Sequence, residues 1–319
     1  MEGIHIIKKS TKRPQNKNNF ILYIIAVLVI ILTIVSLCTI FSAPSLQDIL
    51  GVTSSFRNSD ALNSEDKMSV HILDVGKADA IHINSGDKNI LIDAGDVDIT
   101  NPVTEYLKKN NISKLDFVIA THPHRDHIGG MKDIINKLNI ESFMMPEIPE
   151  NIVPTSKTYE SMLSALSQNN ISVDKPKPGN NLNIGNMEIN ILGPNKQYNN
   201  LNNNSVVVKI KYLNRSFLFM GDAEAESEND LLVSNYNLKS DVLKVGHHGS
   251  KTSTTQKFLD AVLPEYAVIS VGPDSNNLPK TDVINRINKN NIKLYRTDIN
   301  GNVTFITNGN TIDIKTEKE

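Results

Sequence analysis

The sequence predicts an α+β chain, two β-sheets with helices on their outer faces, preceded by a single transmembrane helix. Short β-type runs recur from residue 69 to residue 307, broken by helical stretches in no strict βαβ rhythm, which is the pattern of two packed sheets rather than of one doubly wound sheet. A run without charge covers residues 20–41, where a soluble helix would carry a polar face. The composition, 319 residues with 39% hydrophobic and 21% charged side chains, is that of a folded chain able to bury a sizeable core.

The elements follow in order. Residues 1–19 hold Lys8, Lys9, Lys12, Arg13 and Lys17 against Glu2 alone and read as a basic cytoplasmic tail. Residues 20–43 read as the anchor: the apolar run FILYIIAVLVIILTIVSLCTIF gives about 33 Å of helix, enough to span a bilayer. A removable signal peptide fits less well, since its apolar region is shorter and Pro44 follows Ala43 where cleavage would fall. The basic cluster before the span puts the N-terminus in the cytoplasm and residues 44–319 outside the cell membrane. Residues 44–67, rich in Ser, Asn and Asp, read as a stalk, and a folded domain runs over 68–319.

Within that domain, strands are predicted at 69–75, 80–84, 89–93, 117–120, 140–144, 187–192, 205–212, 216–220, 241–245, 266–271 and 303–307. Helices are predicted at 102–110, 130–138, 158–169, 224–236, 255–263 and 281–290, the first with Pro102 at its first position behind Asn101 as cap. The formal net charge is −2, and with +4 in the tail and none in the span, residues 44–319 carry −6. That excludes a strongly basic nucleic-acid wrapper. Lys209, Lys211, Arg215, Lys244 and Lys251 read as solvated strand faces or a local basic groove. The single cysteine, Cys38, lies in the apolar run, so intrachain disulfides and cysteine-held metals are excluded. Any metal is left to His, Asp, Glu or Asn.

The histidines carry the chemistry. There are eight, and five of them fall in two tight motifs. In IATHPHRDHIGG, which follows an apolar strand and precedes a helix, His122 and His124 are spaced to point at one metal, and Asp126 and His127 to turn to a second. Gly129 and Gly130 would let the backbone pass close to the metals. In SFLFMGDAE, Asp222 is either a carboxylate bridging two cations or a helix N-cap. In DVLKVGHHGSKTS, His247 and His248 follow a third strand; successive residues at a strand end face opposite ways, so spacing leaves open which of the pair points inward. Asp74, Asp79 and Asp93 sit at strand ends in the N-terminal half. Asp93 could accept a hydrogen bond from a metal-binding imidazole, and Asp74 is a candidate for the same supporting role. The hydroxyls and backbone of Ser250, Lys251, Thr252 and Ser253 suit phosphate.

Together HILDVGKADAIHI, ILIDAGD, THPHRDHIGG, NNNSVVVKI, FLFMGDAE and LKVGHHGSKTS, in this order from about Met68 to the C-terminus, resemble the metallo-β-lactamase fold superfamily, and within it the soluble domain of the competence protein ComEC and its stand-alone relatives. The resemblance implies a four-layer αββα sandwich with a two-metal hydrolase site on one edge, holding one or two Zn2+ ions, with Mn2+ as the other candidate. Relatives of the ComEC type usually carry Asp where this chain has His124, and Gln-Gly where it has Lys77-Ala78. No histidine lies between His127 and His247, where the wider superfamily places a third ligand for its first metal; the loop there offers Asn202, Asn203, Asn204 and Ser205.

The resulting expectation is a membrane-anchored metal-dependent hydrolase, a phosphodiesterase or nuclease working outside the membrane through a metal-activated water. His122, His124, Asp126, His127, Asp222 and His247 are its metal ligands. Asp126 also orients the water, and His248 is a ligand or a proton donor to the leaving group. Asn203, Asn204, Ser205, Ser250 and Lys251 meet substrate, with single-stranded DNA or another phosphodiester as partner. Hydrolysis of a small ester, lactone or nucleotide is the second reading, and a non-catalytic surface-binding module that kept the fold is the third.

Overall fold

Strands β1 (Met68–Ile72), β2 (Ile81–Ser85) and β3 (Lys88–Ile92) form an antiparallel meander. Their residues alternate because each strand buries one face between two sheets: Val70, Ile72, Ile81, Ile83, Ile90 and Ile92 all enter a single apolar cluster. Strands β5 (Phe117–Ile119), β7 (Phe143–Met144) and β8 (Val173–Asp174) extend this sheet in parallel beyond β3. On the other side β16 (Val303–Thr307) pairs with β1, and β17 (Ile312–Thr316) closes the edge. Strands β4 (Lys114–Leu115) and β6 (Asn139–Ile140) make a small separate pair.

The second sheet repeats the scheme. Strands β9 (Asn181–Ile184), β10 (Met187–Gly193), β11 (Val207–Tyr212) and β12 (Arg215–Phe219) are an antiparallel meander, followed in parallel by β13 (Val242–Lys244), β14 (Tyr266–Ile269) and β15 (Lys293–Arg296). Phe217 and Phe219 face the cluster between the sheets and Leu218 faces the opposite side, as the two-residue period requires.

Helices α1 (Pro102–Lys109), α3 (Met131–Lys137) and α4 (Lys157–Gln168) cover the first sheet through Val103, Leu107, Met131, Ile134 and Met162. Helices α5 (Ala225–Val233), α6 (Gln256–Val262) and α7 (Thr281–Lys289) cover the second through Leu231, Phe258, Val262, Val283 and Ile287. Three apolar clusters thus separate four layers, the αββα sandwich. The short helices α2 (Arg125–Ile128) and α8 (Thr297–Asn300) lie in loops.

This computed structural model describes residues 67–97, 101–273 and 277–319. The tail, the anchor at 20–43 and the stalk up to residue 66 lie outside the described residues. Among the described residues no helix is long and apolar enough to cross a membrane.

Three sequence expectations are corrected. Asp222 is not the cap of α5, which starts at Ala225 with Glu224 in the cap position; Asn203 Oδ1 instead accepts from the backbone N–H groups of Glu224 (2.9 Å) and Ser227 (3.3 Å). Gly129 and Gly130 serve close packing of backbone on backbone, not approach to a metal: a Cβ on Gly129 would lie 2.2 Å from the carbonyl carbon of Asp96, and one on Gly130 2.4 Å from Ala94 O. Lys209 and Lys244 are not solvated. Lys209, 5% exposed, donates to the carbonyls of Asn237 and Lys239, and Lys244, 1% exposed, is paired with Asp79.

Candidate metal centre

Loops at the C-terminal ends of β3, β5, β12, β13 and β14 converge on one edge of the sandwich. Backbone hydrogen bonds lash them together: Ala94 N–H donates to His127 O, Asp79 N–H to Asp126 O, Val206 N–H to Thr121 O and His247 N–H to Gly221 O. The first two join loops of the first sheet, the last joins loops of the second, and Val206 to Thr121 crosses between the sheets, so that remote stretches of chain meet at one rim, the place where parallel-strand folds gather functional side chains.

Asp222, 2% exposed, lies at the middle. Its Oδ1 is 3.3 Å from His127 Nε2 and 3.6 Å from His248 Nε2. Its Oδ2 is 3.6 Å from His122 Nε2 and 3.8 Å from His247 Nε2. Each oxygen therefore faces its own pair of imidazoles. Asp126 Oδ2 joins the first pair at 3.8 Å from His248 Nε2, and His124 Nδ1 joins the second at 2.9 Å from His122 Nε2. Ligand atoms of His122, His127 and Asp222, and likewise of Asp126, His127 and His248, lie within 4.8 Å of one another.

The imidazoles are oriented from behind. His127 Nδ1 donates to Asp93 Oδ2 at 2.7 Å, and Asp93 is itself held by the backbone N–H and hydroxyl of Thr121. His248 Nδ1 donates to the Ser270 carbonyl at 2.9 Å, and Thr121 Oγ1 and Ser205 Oγ lie 3.2 and 3.3 Å from His122 Nδ1. The carboxylate and carbonyl acceptors put the hydrogen of His127 and His248 on Nδ1, so in the neutral ring Nε2 turns a lone pair toward Asp222. Lone pairs on nitrogen facing carboxylate oxygens repel unless a cation lies between them. His127 Nε2, His248 Nε2 and Asp222 Oδ1 are buried and have no hydrogen-bond partner, a cost of about 1–3 kcal/mol each that one cation removes for all three. The donor set therefore fits divalent metal.

The charges agree. Burial alone would raise the Asp222 carboxyl, but His127 and His248 hold it well below the usual carboxylate range. Burial would lower His127, yet Asp222 and Asp93 hold it well above the usual imidazole range, because the pocket stabilises positive charge at that ring. Burial, and after it His127, pushes His122 well below its ordinary value, and burial lowers His124 as well.

The structure brings together His122, His124, Asp126, His127, Asp222, His247 and His248. Both members of the 247–248 pair reach Asp222, because both adopt left-handed backbone (φ 48° and 51°) and do not alternate as a strand would. His248 is 3% exposed, whereas the His247 side chain is 25% exposed at the mouth. Gly249, at φ +76°, completes the turn. Ser205 is buried against His122 and accepts from Asp222 N–H. Ser250 Oγ lies 3.0 Å from Thr252 Oγ1 and Lys251 is exposed beside them.

Other predicted residues do something else. Asn203 caps α5, and Asn204, fully buried, holds its own loop by accepting from Tyr198 N–H and donating to the carbonyls of Tyr198 and Asn200. Neither amide faces the cluster. Asp74 accepts from Lys318 Nζ and the Gly76 N–H, away from the imidazoles. Residues missed by sequence reasoning are Thr121, Glu224 and Lys244. Glu224 Oε1 lies 3.1 Å from His247 Nδ1. Lys244 sits behind His248, with its Nζ 3.0 Å from Asp79 Oδ2, while Asp79 Oδ1 lies 3.8 Å from His248 Nδ1. A lysine inside the apolar run DVLKV was the available signal.

Known proteins support the same picture. ComE operon protein 3 of Bacillus subtilis (strain 168) is 28% identical over 256 residues, covering 74% of this chain and 32% of that protein. Competence protein ComA of Neisseria gonorrhoeae is 28% identical over 251 residues, covering 76% and 32%. The chain spans about a third of the length of these relatives. Among solved structures, the metallo-beta-lactamase fold protein YhfI of Bacillus subtilis aligns at TM-score 0.52 and 13% identity over 76% of this chain and 100% of that one, a likeness of fold alone. The family model of the metallo-beta-lactamase superfamily matches residues 73–272, which hold every residue of the cluster, and the chain belongs to that superfamily.

Proposed function

We propose that this protein is a membrane-anchored phosphodiesterase or nuclease that holds two divalent cations at the strand-end cluster and works outside the membrane, with residues 20–43 as its anchor and the N-terminus in the cytoplasm. The observation that carries this reading is the division of Asp222, one oxygen toward His127 and His248 and the other toward His122 and His247. One subsite then consists of Asp126, His127, His248 and Asp222 Oδ1, the other of His122, His124, His247 and Asp222 Oδ2. His122 Nε2 and His124 Nδ1 are 2.9 Å apart, near the roughly 3.3 Å expected of two imidazoles on one tetrahedral zinc. Nitrogen donors favour Zn2+, and the carboxylates also suit Mn2+.

Bound at such a centre, divalent cations supply an activated water and neutralise charge at a phosphoryl oxygen. The chain's own residues do the rest. Asp126, whose side chain is 27% exposed, stands at the mouth where it can orient the attacking water. Lys251, exposed beside the cluster, offers an ammonium to phosphate oxygens, whereas Thr252 Oγ1 is spent on Glu224 and the buried Ser253 Oγ on Gly246 O. His248, buried with its Nδ1–H committed to Ser270, acts as a donor to the cation rather than as a proton source. Single-stranded DNA is the substrate we propose, on the resemblance to a competence protein, with a small ester or lactone as the second reading.

The test is hydrolysis by the full-length chain in detergent, with Zn2+ or Mn2+ added, of bis-p-nitrophenyl phosphate and labelled single-stranded DNA against ester and lactone substrates. Phosphodiester cleavage abolished by Asp126→Ala is expected. Cleavage of esters or lactones alone would instead support the small-molecule hydrolase, and no cleavage with metal bound would support a binding module.

A further inference from the structure

We infer that Glu224 is a positioning residue that aims His247 at the outer cation subsite and so sets whether that subsite fills; the inference rests on the two-cation reading above. The two subsites are unequally built. Around Asp222 Oδ1 the imidazoles of His127 and His248 are buried and fastened from behind by Asp93 and by the Ser270 carbonyl. Around Asp222 Oδ2, only His122 is buried. Its companions His124 and His247 come from the mouth, and no histidine between residues 127 and 247 is available to add to them. In the neighbouring 202–205 loop the side chains of Asn203, Asn204 and Ser205 hold α5, the loop itself and Asp222 N–H, and Asn202 turns its Nδ2 to Glu224 Oε1 (3.4 Å) and the back of the His247 ring (3.5 Å from Nδ1). The imidazole whose Nε2 faces Asp222 Oδ2 from the mouth, at 3.8 Å, and so completes a tetrahedral set with His122 and His124, is that of His247.

His247 is a partly exposed side chain on a left-handed turn, so its aim depends on what holds the ring. Glu224 does so. A carboxylate oxygen only accepts, so at 3.1 Å from Glu224 Oε1 the His247 Nδ1 carries the hydrogen and Nε2 presents its lone pair toward Asp222 Oδ2. Glu224 is itself pinned: Thr252 Oγ1 donates to Oε1 at 2.7 Å, Asn200 Nδ2 donates to Oε2 at 3.0 Å, and its backbone N–H is bound by Asn203. The carboxylate is thus fixed by residues from two loops and a helix start, and it passes that rigidity to the imidazole. A supporting carboxylate of this kind typically changes metal affinity by about 10–100-fold.

The experiment measures zinc binding by the full-length chain in detergent, using competition with a chromophoric chelator, and records the visible spectrum of the Co2+ form. Wild type, Glu224→Ala, Glu224→Gln and His247→Ala are compared. Two ions of unequal affinity are expected for wild type. Glu224→Ala and His247→Ala should each weaken the looser ion by about 10–100-fold while sparing the tighter one, and each should remove the same part of the Co2+ spectrum. Glu224→Gln, which keeps an oxygen acceptor, should recover most of the loss. A general folding defect would weaken both ions and would not be rescued by Gln. Two ions in wild type with the looser one indifferent to Glu224→Ala or to His247→Ala overturns the inference alone. A wild type that binds no ion overturns both the inference and the two-cation reading.

Discussion

Asp93 Oδ2 and His127 Nδ1 lie 2.7 Å apart, both fully buried, and this one hydrogen bond determines that His127 meets Asp222 through Nε2. Burial raises the Asp93 carboxyl against the lowering pull of His127. Asp93→Ala is therefore expected to reduce affinity for the inner ion by about 10–100-fold, read by chelator competition. Unchanged affinity would mean that packing alone orients His127.

Lys244 and Asp79 form an ion pair with neither side chain more than 1% exposed, joining β13 of one sheet to the loop before β2 of the other. Burial would raise Asp79, but Lys244, with His248 and His127 behind it, brings the carboxyl below its ordinary value. Lys244→Met leaves that carboxylate buried without its partner and is expected to cost about 3–5 kcal/mol in urea unfolding. The double change with Asp79→Asn should recover much of this. A single variant as stable as wild type would contradict the account.

Asn203 separates a structural role from a substrate-binding one. Its side chain serves as the cap of α5, so Asn203→Ala is expected to lower stability by about 1 kcal/mol and to leave KM for a phosphodiester near its wild-type value. A raised KM with unchanged stability would return the residue to the substrate site.

His82, 3% exposed on the helix-facing side of β2, is held down at about 3 by burial and then by the neighbouring His71. Unfolded, it titrates near 6.5, so between about pH 6.5 and 3 the unfolded chain takes up a proton that the folded chain refuses. Its contribution is thus intact above pH 6.5 and is lost as pH falls, by up to about 1.4 kcal/mol per pH unit. His82→Gln should flatten the fall in stability between pH 6 and 4, followed by urea unfolding at each pH; an unaltered slope would assign the acid sensitivity elsewhere.

The central strands were legible in the sequence because both faces or one whole face are buried, as in the runs ILI at β3 and FLF at β12, where apolar residues stand out from their neighbours. Edge strands were not. β9 (NLNI), β15 (KLYR) and β17 (IDIKT) keep exposed or half-exposed positions along their length, so their alternation resembles that of loops. The metal-type residues were legible for a different reason: His and Asp at the ends of apolar strands converge wherever strands lie in parallel. What sequence could not supply was the backbone at 247–248, which brings both imidazoles to Asp222, or the pairing of Glu224 and Lys244 with residues far along the chain. The Asn203 and Asn204 amides looked like substrate contacts because an asparagine run near a site carries no mark of which way each side chain turns.

The most direct test is a count of bound ions. The full-length chain in detergent, equilibrated with Zn2+ or Mn2+ by dialysis and analysed for its elements, should retain two ions per chain, and Asp222→Ala, which removes the carboxylate shared by both subsites, should retain at most one, weakly held. A wild-type chain that leaves dialysis without metal, or an Asp222→Ala chain that still holds two, would contradict the account.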